Sequence, residues 1–488
     1  MGRKFKTADY EATLSTPMRL GDALPPDHLA RFVVEIVSQL DMSRIYAGYA
    51  ERGGEAMAPE VLLGLLFYGY GTGVFSSRRI EKATYENLGF RYVAGGLHPD
   101  HDTIANFRTT FLVELQDLFV QILMLAKVAG KLKLGNLSLD GSKIHADASK
   151  SHAVSYGRLI ELEAEVKAEV SELMQLGEQA DQGEIRLPET LVLQDEIILR
   201  KQRLENLAKA KSVLEARAQE RDEAEKAEYD QKVREREAKA RKPRKRPRGR
   251  APKPPPAGPH DKDQYNFTDP ESRIMKNSTN DGFDQHYNVQ VAVDQDSLLI
   301  VATSLSNHPN DKREAEPTLD ALSARLGKPS AAALDNGFFS EHNILTLEQR
   351  KIEPYIATGR EAHHKDLNTL LGTTFPVPPE DATPLEKMAY KLSTEIGQAI
   401  YRLRKCTVEP VIGIIKEILG FRQFSLRGLT QVTGEWCLVC LAFRLRRQAT
   451  TYPVDNLKCE YPQKKRWKAL YFIKPHMNPC FFYWHADF

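Results

Sequence analysis

Two short apolar strands that each lead to an aspartate constrain the fold most. The pattern predicts a strand at Leu137–Leu139, followed by Asp140 and then by Gly141. A second predicted strand, residues 330–334, leads in the same way to Asp335. An acid at a strand end beside a glycine is a common way to place a carboxylate at the edge of a sheet, open to a ligand. Either acid on its own is more often a turn former or a cap.

A long charged stretch separates the two motifs. Residues 156–240 predict two helices with a break near residues 177–188, which is typical of an antiparallel coiled-coil hairpin. The longer helix has its core positions near heptad spacing at Leu193, Ile197, Leu204, Leu207, Lys211, Leu214 and Ala218. With this stretch set aside, residues 131–155 and 263–450 alternate strands and helices as a mixed-sheet α/β domain does.

Residues 241–262 predict a basic, Pro-rich linker, in which we expect residues 241–256 to be disordered. Between Arg241 and Lys253 there are eight basic residues and no acid, and prolines are frequent throughout the segment. That composition cannot pack a core. The tail, residues 451–488, is basic and aromatic and has no assigned structure. Such local basic zones on a chain of net charge +2 suit a polyanionic partner, although a solvated face is the commoner explanation of any single run.

Residues 1–130 predict an all-helical N-terminal domain. The expected helices are His28–Leu40 capped by Asp27, an amphipathic helix from about Pro59 to Tyr68, Arg78–Leu88, and one helix from a cap at Asp102 or Thr103 to Val128. The second and third, joined by a glycine turn, resemble a helix-turn-helix motif. Arg78, Arg79 and Lys82 would then be DNA contacts; a plain three-helix packing unit is the equal alternative.

Composition also limits the compartment. The five cysteines all lie from Cys406 onward and form no disulfide framework, which favours a reducing cytosol. The first residues lack the apolar region of a signal peptide, and no apolar run approaches a membrane span. We therefore expect a cytoplasmic protein without a membrane partner, associated with the nucleoid when it binds DNA.

A third acid, Glu409, lies in a predicted helix that runs from about residue 385 to 419 and contains Pro410. Three converging carboxylates could hold two Mg²⁺ ions, with Mn²⁺ as an alternative, and such a pair supports in-line phosphoryl displacement. Regular helix spacing would put Arg402, Lys405 and Lys416 on the face of Glu409, where they could hold DNA phosphates. Because Pro410 should kink or restart the helix, that shared face is a hypothesis.

Several motifs together resemble one family. Residues 138–149 resemble the first-aspartate motif of DDE transposases from bacterial insertion sequences. Residues 268–276, 287–294 and 333–338 look similar to further segments of these enzymes, residues 99–108 to the end of their helical domain, and residues 401–416 to their tyrosine–arginine–glutamate–lysine signature. The closest branch is type eleven-eighty-two, whose core is also interrupted by a helical insertion.

The resemblance implies a ribonuclease-H-like core with Asp140, Asp335 and Glu409 as metal ligands. In the signature Tyr401 and Lys416 align with the family. The arginine fits less well, because four residues instead of three separate Arg404 from Glu409, so that Arg404 and Lys405 are both candidates. Lys143 could touch a phosphate, although a solvated turn lysine is the ordinary alternative.

We therefore expect a DNA transposase that binds terminal inverted repeats, cleaves DNA with metal-activated water and joins the 3′-hydroxyl ends to target DNA. Its partners would be double-stranded DNA, both element ends and target, and further copies of the chain in a homodimer or higher oligomer. Two alternatives stay open: a metal-dependent nuclease without strand transfer, and a catalytically silent DNA-binding regulator.

Overall fold

Residues 19–49, 56–183, 185–186, 188, 191–240, 251–277, 282–359, 377–379 and 381–450 are described by a computed structural model. The chain divides into two units: the first falls within residues 1–145 and 287–488, and the second comprises residues 146–286. Residues 1–18, the basic run at 241–250 and the tail at 451–488 lie outside the described residues. None of the described helices is both long enough and apolar enough to cross a membrane.

The first unit begins with helices. They are α1 Leu29–Val37, α2 Ser43–Ala47, α3 Pro59–Gly71, α4 Ser77–Glu86, α5 Leu88–Val93, α6 His101–Thr110 and α7 Leu112–Val128. Every residue of α3 from Leu62 to Gly71 is buried, so the prediction of an amphipathic helix was wrong there. A helix that is apolar on all sides is a central helix, and α3 packs against α1, α5 and α6.

The helix ends differ from the predicted ones because other side chains cap them. His28 caps α1, since its Nδ1 accepts a hydrogen bond from the Ala30 amide at 3.2 Å. Asp100 caps α6 by accepting from the Thr103 amide at 2.7 Å, so Asp102 and Thr103 lie inside that helix. The single helix predicted to reach Val128 is divided at Phe111.

The strands, in chain order, are β1 Leu137–His145, β2 Ala153–Ser155, β3 Gln264–Asn266, β4 Arg273–Lys276, β5 Phe283–Asp294, β6 Ile300–Ser306, β7 Ala331–Leu334 and β8 Glu353–Ile356. In the first unit they form a mixed sheet in the order β6–β5–β1–β7–β8. β5 and β6 are antiparallel, whereas β1, β7 and β8 run parallel. The prediction of a mixed-sheet α/β unit preceded by helices is confirmed at this level.

The remaining helices of the first unit are α10 Ala315–Asp320, α11 Glu341–Gln349, α12 Pro384–Ser393, α13 Glu395–Gly413 and α14 Leu429–Thr450. α14 packs against α3, α7 and β6. Its residues Cys437 and Cys440 are buried, as expected for a core face.

A buried polar cluster joins α3, α6 and α14. The Tyr70 hydroxyl donates to Glu435 Oε1 at 3.2 Å and accepts from Arg108 Nη1 at 2.8 Å. Glu435 Oε2 also accepts from the amides of Ser425 and Leu426, each at 3.0 Å. The full set of bonds neutralises a carboxylate that is 0% exposed.

The second unit contains a long helical pair, α8 Tyr156–Asp181 and α9 Leu193–Ala240. Ion pairs between Glu169 and Arg200 at 2.7 Å and between Glu163 and Lys211 at 3.0 Å show that the helices run antiparallel. The buried contact between them comprises Leu159 and Val166 of α8 and Leu207, Ala210 and Leu214 of α9, with Val154. The predicted insertion, residues 156–240, falls inside this unit.

The chain enters and leaves the helical pair through β2 and β3, which form an antiparallel two-stranded sheet. The end of the predicted linker contacts α9: Arg221 donates to the Gly258 carbonyl at 2.9 Å and pairs with Asp263 at 2.9 Å. Gly258, at φ 87°, and Asp263 give Arg221 a carbonyl and a carboxylate to bind. The disorder expected for residues 241–256 stays a prediction.

Candidate active site

The parallel pairing of β1 and β7 brings Asp140 and Asp335 to adjacent positions. Leu137, Ser138 and Leu139 pair with Ala332, Ala333 and Leu334, and each acid follows its last paired residue. Asp335 lies just after β7 and caps a short turn by accepting from the Gly337 amide at 2.8 Å. The prediction that Asp140 lies at a strand end was wrong. Asp140 is the fourth residue of the nine-residue strand β1.

β1 continues past Asp140 because a distant segment supports it. The His145 amide donates to the Arg422 carbonyl at 3.0 Å, and the Phe424 amide donates to the His145 carbonyl at 2.9 Å. This support lies far away in the sequence, which explains why the local pattern predicted a shorter strand.

Helix α13 is fixed to β1 by buried hydroxyl groups. The Thr407 hydroxyl bonds to the Ser138 hydroxyl at 2.8 Å, and both residues are buried. Gln295 donates to the same Ser138 oxygen at 3.0 Å and to the Ile400 carbonyl of α13 at 3.1 Å. These bonds hold the part of α13 that carries Arg404 and Glu409 over Asp140.

Arg404 lies between two of the three predicted acids. Its Nη1 donates to Asp140 Oδ2 at 3.1 Å and its Nη2 donates to Glu409 Oε1 at 2.9 Å. The Arg404 side chain is 10% exposed, compared with 17% for Asp140 and 46% for Glu409. Of the two candidates for the signature arginine, Arg404 is the one that contacts the carboxylates, whereas Lys405 is exposed.

Burial and crowded negative charge perturb the acids. Burial raises the pKa of Asp140 to about 7; the Arg404 guanidinium opposes this shift, while Asp335 and Glu409 add to it. Burial likewise raises the pKa of Asp335, again against the effect of Arg404 and with a further contribution from Asp311. Burial lowers the pKa of Arg404, but the neighbouring acids and Tyr401 outweigh it and the net shift is upward. Such perturbed pairs are frequent at functional sites.

Pro410 lies inside α13, which continues to Gly413 and is followed by a π-helical turn, Ile414–Ile418. This turn carries Lys416, whose Nζ donates to the Ser142 hydroxyl at 2.9 Å and to the Lys143 carbonyl at 3.1 Å. Burial, and then the charge of Arg422, lower the pKa of Lys416.

The regular spacing assumed for the shared cationic face breaks at Lys416, which is half-buried against the second half of β1. Arg402 and Lys405 are exposed on α13, as Glu409 is, and their shared face stays a hypothesis. A π turn advances the chain by more residues than an α-helical turn does, so the +7 position no longer follows from the 3.6 period.

The other predicted residues lie around or away from this centre. The Tyr401 ring is 5.8 Å from the Arg404 guanidinium carbon. Lys143 is half-buried on β1, next to the Lys416 contact. Arg78, Arg79 and Lys82 are all exposed on α4, where Lys82 pairs with Glu86 at 3.5 Å.

Sequence reasoning missed Asp311. Its Oδ1 accepts from Asn288 Nδ2 at 2.8 Å and from Gln290 Nε2 at 2.7 Å, and it lies beside the glycines that follow Asp140 and Asp335. The sequence of β5 held one indication of this site. Asn288 and Gln290 alternate with the apolar residues Tyr287 and Val289, and both amides are buried.

The donors are chemically suited to a hard divalent cation, because carboxylate oxygens are the ligands that Mg²⁺ prefers. Their arrangement is that of an ion-paired state. Among the described residues, no group of three or more His, Cys, Asp or Glu side chains is close enough to hold a metal ion. The Arg404 guanidinium, itself a cation, holds the oxygens of Asp140 and Glu409 instead.

Two family models match the chain. Residues 18–110 match a transposase domain (DUF772), and residues 372–449 match a transposase DDE domain. The two matches support a DDE transposase of the insertion-sequence type. The DDE match indicates a metal-dependent enzyme that cuts and joins DNA. No curated protein and no solved structure gave a significant match to the chain.

The matches cover different parts of the transposase. The first spans α1 to α6, including the exposed cations of α4. The second contains Arg404, Glu409 and Lys416, while Asp140 and Asp335 lie outside both matched segments. The narrower assignment to the type eleven-eighty-two branch stays a prediction.

Proposed function

We propose that this transposase binds the terminal inverted repeats of its element, cleaves DNA phosphodiesters with metal-activated water and joins the freed 3′-hydroxyl ends to target DNA. The observation that carries the proposal is the register of β1 and β7, which sets Asp140 beside Asp335 while Arg404 ties Glu409 to the same place. The two transposase family models that match the same chain support this proposal.

In this proposal Asp140, Asp335 and Glu409 would hold two Mg²⁺ ions, with Mn²⁺ as an alternative. Bound ions there would activate the attacking water or hydroxyl and stabilise the leaving oxygen. Arg404 neutralises Asp140 and Glu409 in the ion-paired state, and has to release at least one of them before those oxygens can take a metal. Its guanidinium is then free for a DNA phosphate, to which it can donate two hydrogen bonds.

Cations around the acids would hold the DNA backbone. Lys416 is fixed by Ser142 and the Lys143 carbonyl, so it presents its charge at a constant place. Lys143, Arg402 and Lys405 would add phosphate contacts, and Tyr401, near Arg404, would position that arginine. Such contacts set the register of the scissile bond without reading sequence.

Sequence recognition would come from α4. Arg78, Arg79 and Lys82 are exposed on it, and it follows the buried helix α3, so its cationic side is available to a DNA groove. The basic segment 241–262 and the tail 451–488 would add contacts that depend on salt concentration.

The rest of the proposal concerns architecture. The mixed sheet with α13 would be a ribonuclease-H-like core, and α8 with α9 a coiled coil that supports a homodimer or higher assembly around two element ends. A mass measurement of the DNA-bound complex tests the assembly; one protein copy per complex contradicts it. We expect a cytoplasmic protein that associates with the nucleoid through DNA.

The deciding experiment uses two DNA substrates that carry the end sequences flanking the gene: uncleaved DNA to measure cleavage, and pre-cleaved DNA with a target plasmid to measure joining, both with Mg²⁺. We expect joined product from the wild type. D140N, D335N and E409Q should lose cleavage and joining but retain end binding in a mobility-shift assay, and the control D320N, an exposed acid, should behave as the wild type. Cleavage without joining indicates the nuclease, and end binding with neither reaction indicates the silent regulator.

A further inference from the structure

Asp311 is a carboxylate with one oxygen fixed and the other directed toward Asp335. Asn288 and Gln290, each 1% exposed, both donate to Asp311 Oδ1. Gln290 Nε2 also donates to Asn288 Oδ1 at 3.2 Å, so the amide pair has one consistent orientation. Two buried donors on a single oxygen hold the carboxylate in place and leave Oδ2 for another partner.

That second oxygen faces a space kept open by Gly337. A side chain starting at residue 337 would place its Cβ 3.3 Å from Asp311 Oδ2 and 3.0 Å from Asp335 Oδ1. Both acidic oxygens therefore border the same small volume. Gly337 does not have a positive φ, so its lack of a side chain matters for this space and not for the backbone.

Gly141, next to Asp140, lets Asp311 and Gln290 approach the backbone closely. A Cβ on residue 141 would lie 2.7 Å from Asp311 Oδ1 and 2.7 Å from Gln290 Oε1. Gln290 Oε1 is buried and has no hydrogen-bond donor among the described residues. A buried acceptor without a donor is costly, and its position beside the acids suits a cation or a water bound to one.

Arg404 acts on the charge of this pair from a distance and does not contact it. In the described ranges, neither Asp311 nor Asp335 forms an ion pair within 4.0 Å; Arg404 contacts Asp140 and Glu409 instead. Two carboxylates that face one partly buried space repel each other unless a cation lies between them.

We propose that Asp311 is a fourth carboxylate of the metal centre, a ligand, either directly or through a bound water, of a divalent ion shared with Asp335 and Asp140. Asn288 and Gln290 are positioning residues that orient Asp311. This inference rests on the proposed function, because it adds a ligand to the same centre. It differs from the three-acid centre in requiring an oxygen contributed by the segment between β6 and α10.

The test is a titration of the full-length protein with Mn²⁺. Binding is measured by calorimetry and, separately, by the electron paramagnetic resonance signal of free Mn²⁺. D311N preserves shape and removes the charge, and we expect it to weaken Mn²⁺ binding about tenfold or more. The control D320N removes an exposed acid of α10 that pairs with Arg350 and should bind as the wild type does. End cleavage by D311N should fall, with end binding retained.

The outcomes separate this inference from the proposed function. If D140N and D335N lose Mn²⁺ binding but D311N binds as the wild type, Asp311 is not a ligand and the three-acid centre stands. If D140N and D335N also bind Mn²⁺ normally, the proposed metal centre itself is wrong. Should D311N fail to fold, G337A reports on the same space: normal Mn²⁺ affinity in G337A overturns the inference, and weakened affinity with an unchanged melting temperature supports it.

Discussion

Replacing Arg404 by glutamine tests how the acidic centre is held together without metal. The guanidinium is the cation that contacts Asp140 and Glu409, and its side chain is 10% exposed. In R404Q, Asp140 and Glu409 lie near each other and near Asp335, and the guanidinium charge that offset their repulsion is absent. We expect lower stability in the absence of divalent ions and a larger gain in stability when they are added.

The size of the loss follows from the burial of the partners. Removing one member of a buried ion pair costs about 3–5 kcal/mol, because the other charge stays desolvated. The Asp140 side chain is 17% exposed and takes most of this penalty, whereas Glu409 at 46% exposure is screened by water and contributes little. Asp140 can also take up a proton, so we expect a loss of about 2–4 kcal/mol. A divalent ion at 100 times its Kd returns about 2.7 kcal/mol.

The assay is thermal unfolding of wild type and R404Q with EDTA and with Mn²⁺. A folding unit larger than 250 residues shifts by about 1–2 °C per kcal/mol, so R404Q should melt roughly 2–8 °C lower in EDTA. Its rise with Mn²⁺ should exceed that of the wild type, in which the guanidinium competes for the same oxygens. R402Q, an exposed cation on the same helix, is the control. An unchanged melting temperature in EDTA, or an equal response to Mn²⁺, would refute the reasoning.

Three further results are expected. E435A should lower the free energy of unfolding by about 3–5 kcal/mol in urea titrations, because it leaves Arg108 buried without its carboxylate. The affinity for Mn²⁺ should increase as the pH rises through about 7, because burial raises the pKa of Asp140 to about 7 and its proton competes with the ion below that pH. The double variant R78A/R79A should reduce the salt dependence of end binding, lowering the slope of log K against log salt by about 2 in fluorescence-anisotropy titrations.

For each of these three predictions, one result would contradict the reasoning. A stable E435A protein would mean that Arg108 is solvated or finds another partner. Mn²⁺ affinity that is constant between pH 6 and pH 8 would mean that Asp140 takes no part in ion binding. A salt slope unaffected by R78A/R79A would place the phosphate contacts away from α4, and the three-helix packing unit would then be the better description of that region.

Local patterns in the sequence were sufficient to predict the two strands that carry the aspartates. Leu137–Leu139 and residues 331–334 are short and apolar, and each is followed by an acid, so the parallel pairing of β1 with β7 brings the acids together. The length of β1 was not predictable in the same way. Its end at His145 bonds to Arg422 and Phe424, and β1 also pairs with β5, contacts that no local pattern reveals.

The helical errors have similar physical reasons. α3 contains Gly64, Gly69 and Gly71 among its apolar residues, and periodicity alone did not reveal that it is buried on all sides. Its environment is formed by α14, more than 350 residues away. On α13 the sequence did not decide whether Arg404 or Lys405 has the role of the signature arginine. Lys405 is four residues before Glu409 and is the better helical neighbour, but Arg404 is the residue that faces β1.

Asp311 shows which part of a site remains hidden in the sequence. The buried amides Asn288 and Gln290 lie on β5 and alternate as a strand predicts, yet their partner comes from a loop more than 20 residues further along. Nothing in the local pattern around Asp311 distinguishes it from a surface acid. Only the sheet order, with β5 next to β1, places it beside the glycines that follow Asp140 and Asp335.

The most direct measurement of the proposed centre is anomalous diffraction from crystals of the protein grown with Mn²⁺. We predict a Mn²⁺ peak bounded by the carboxylates of Asp140 and Asp335, with Arg404 no longer bridging Asp140 and Glu409. A structure in which Arg404 keeps both contacts at saturating Mn²⁺, or in which the ion lies away from these two aspartates, would contradict the assignment of this site as the metal centre of the transposase.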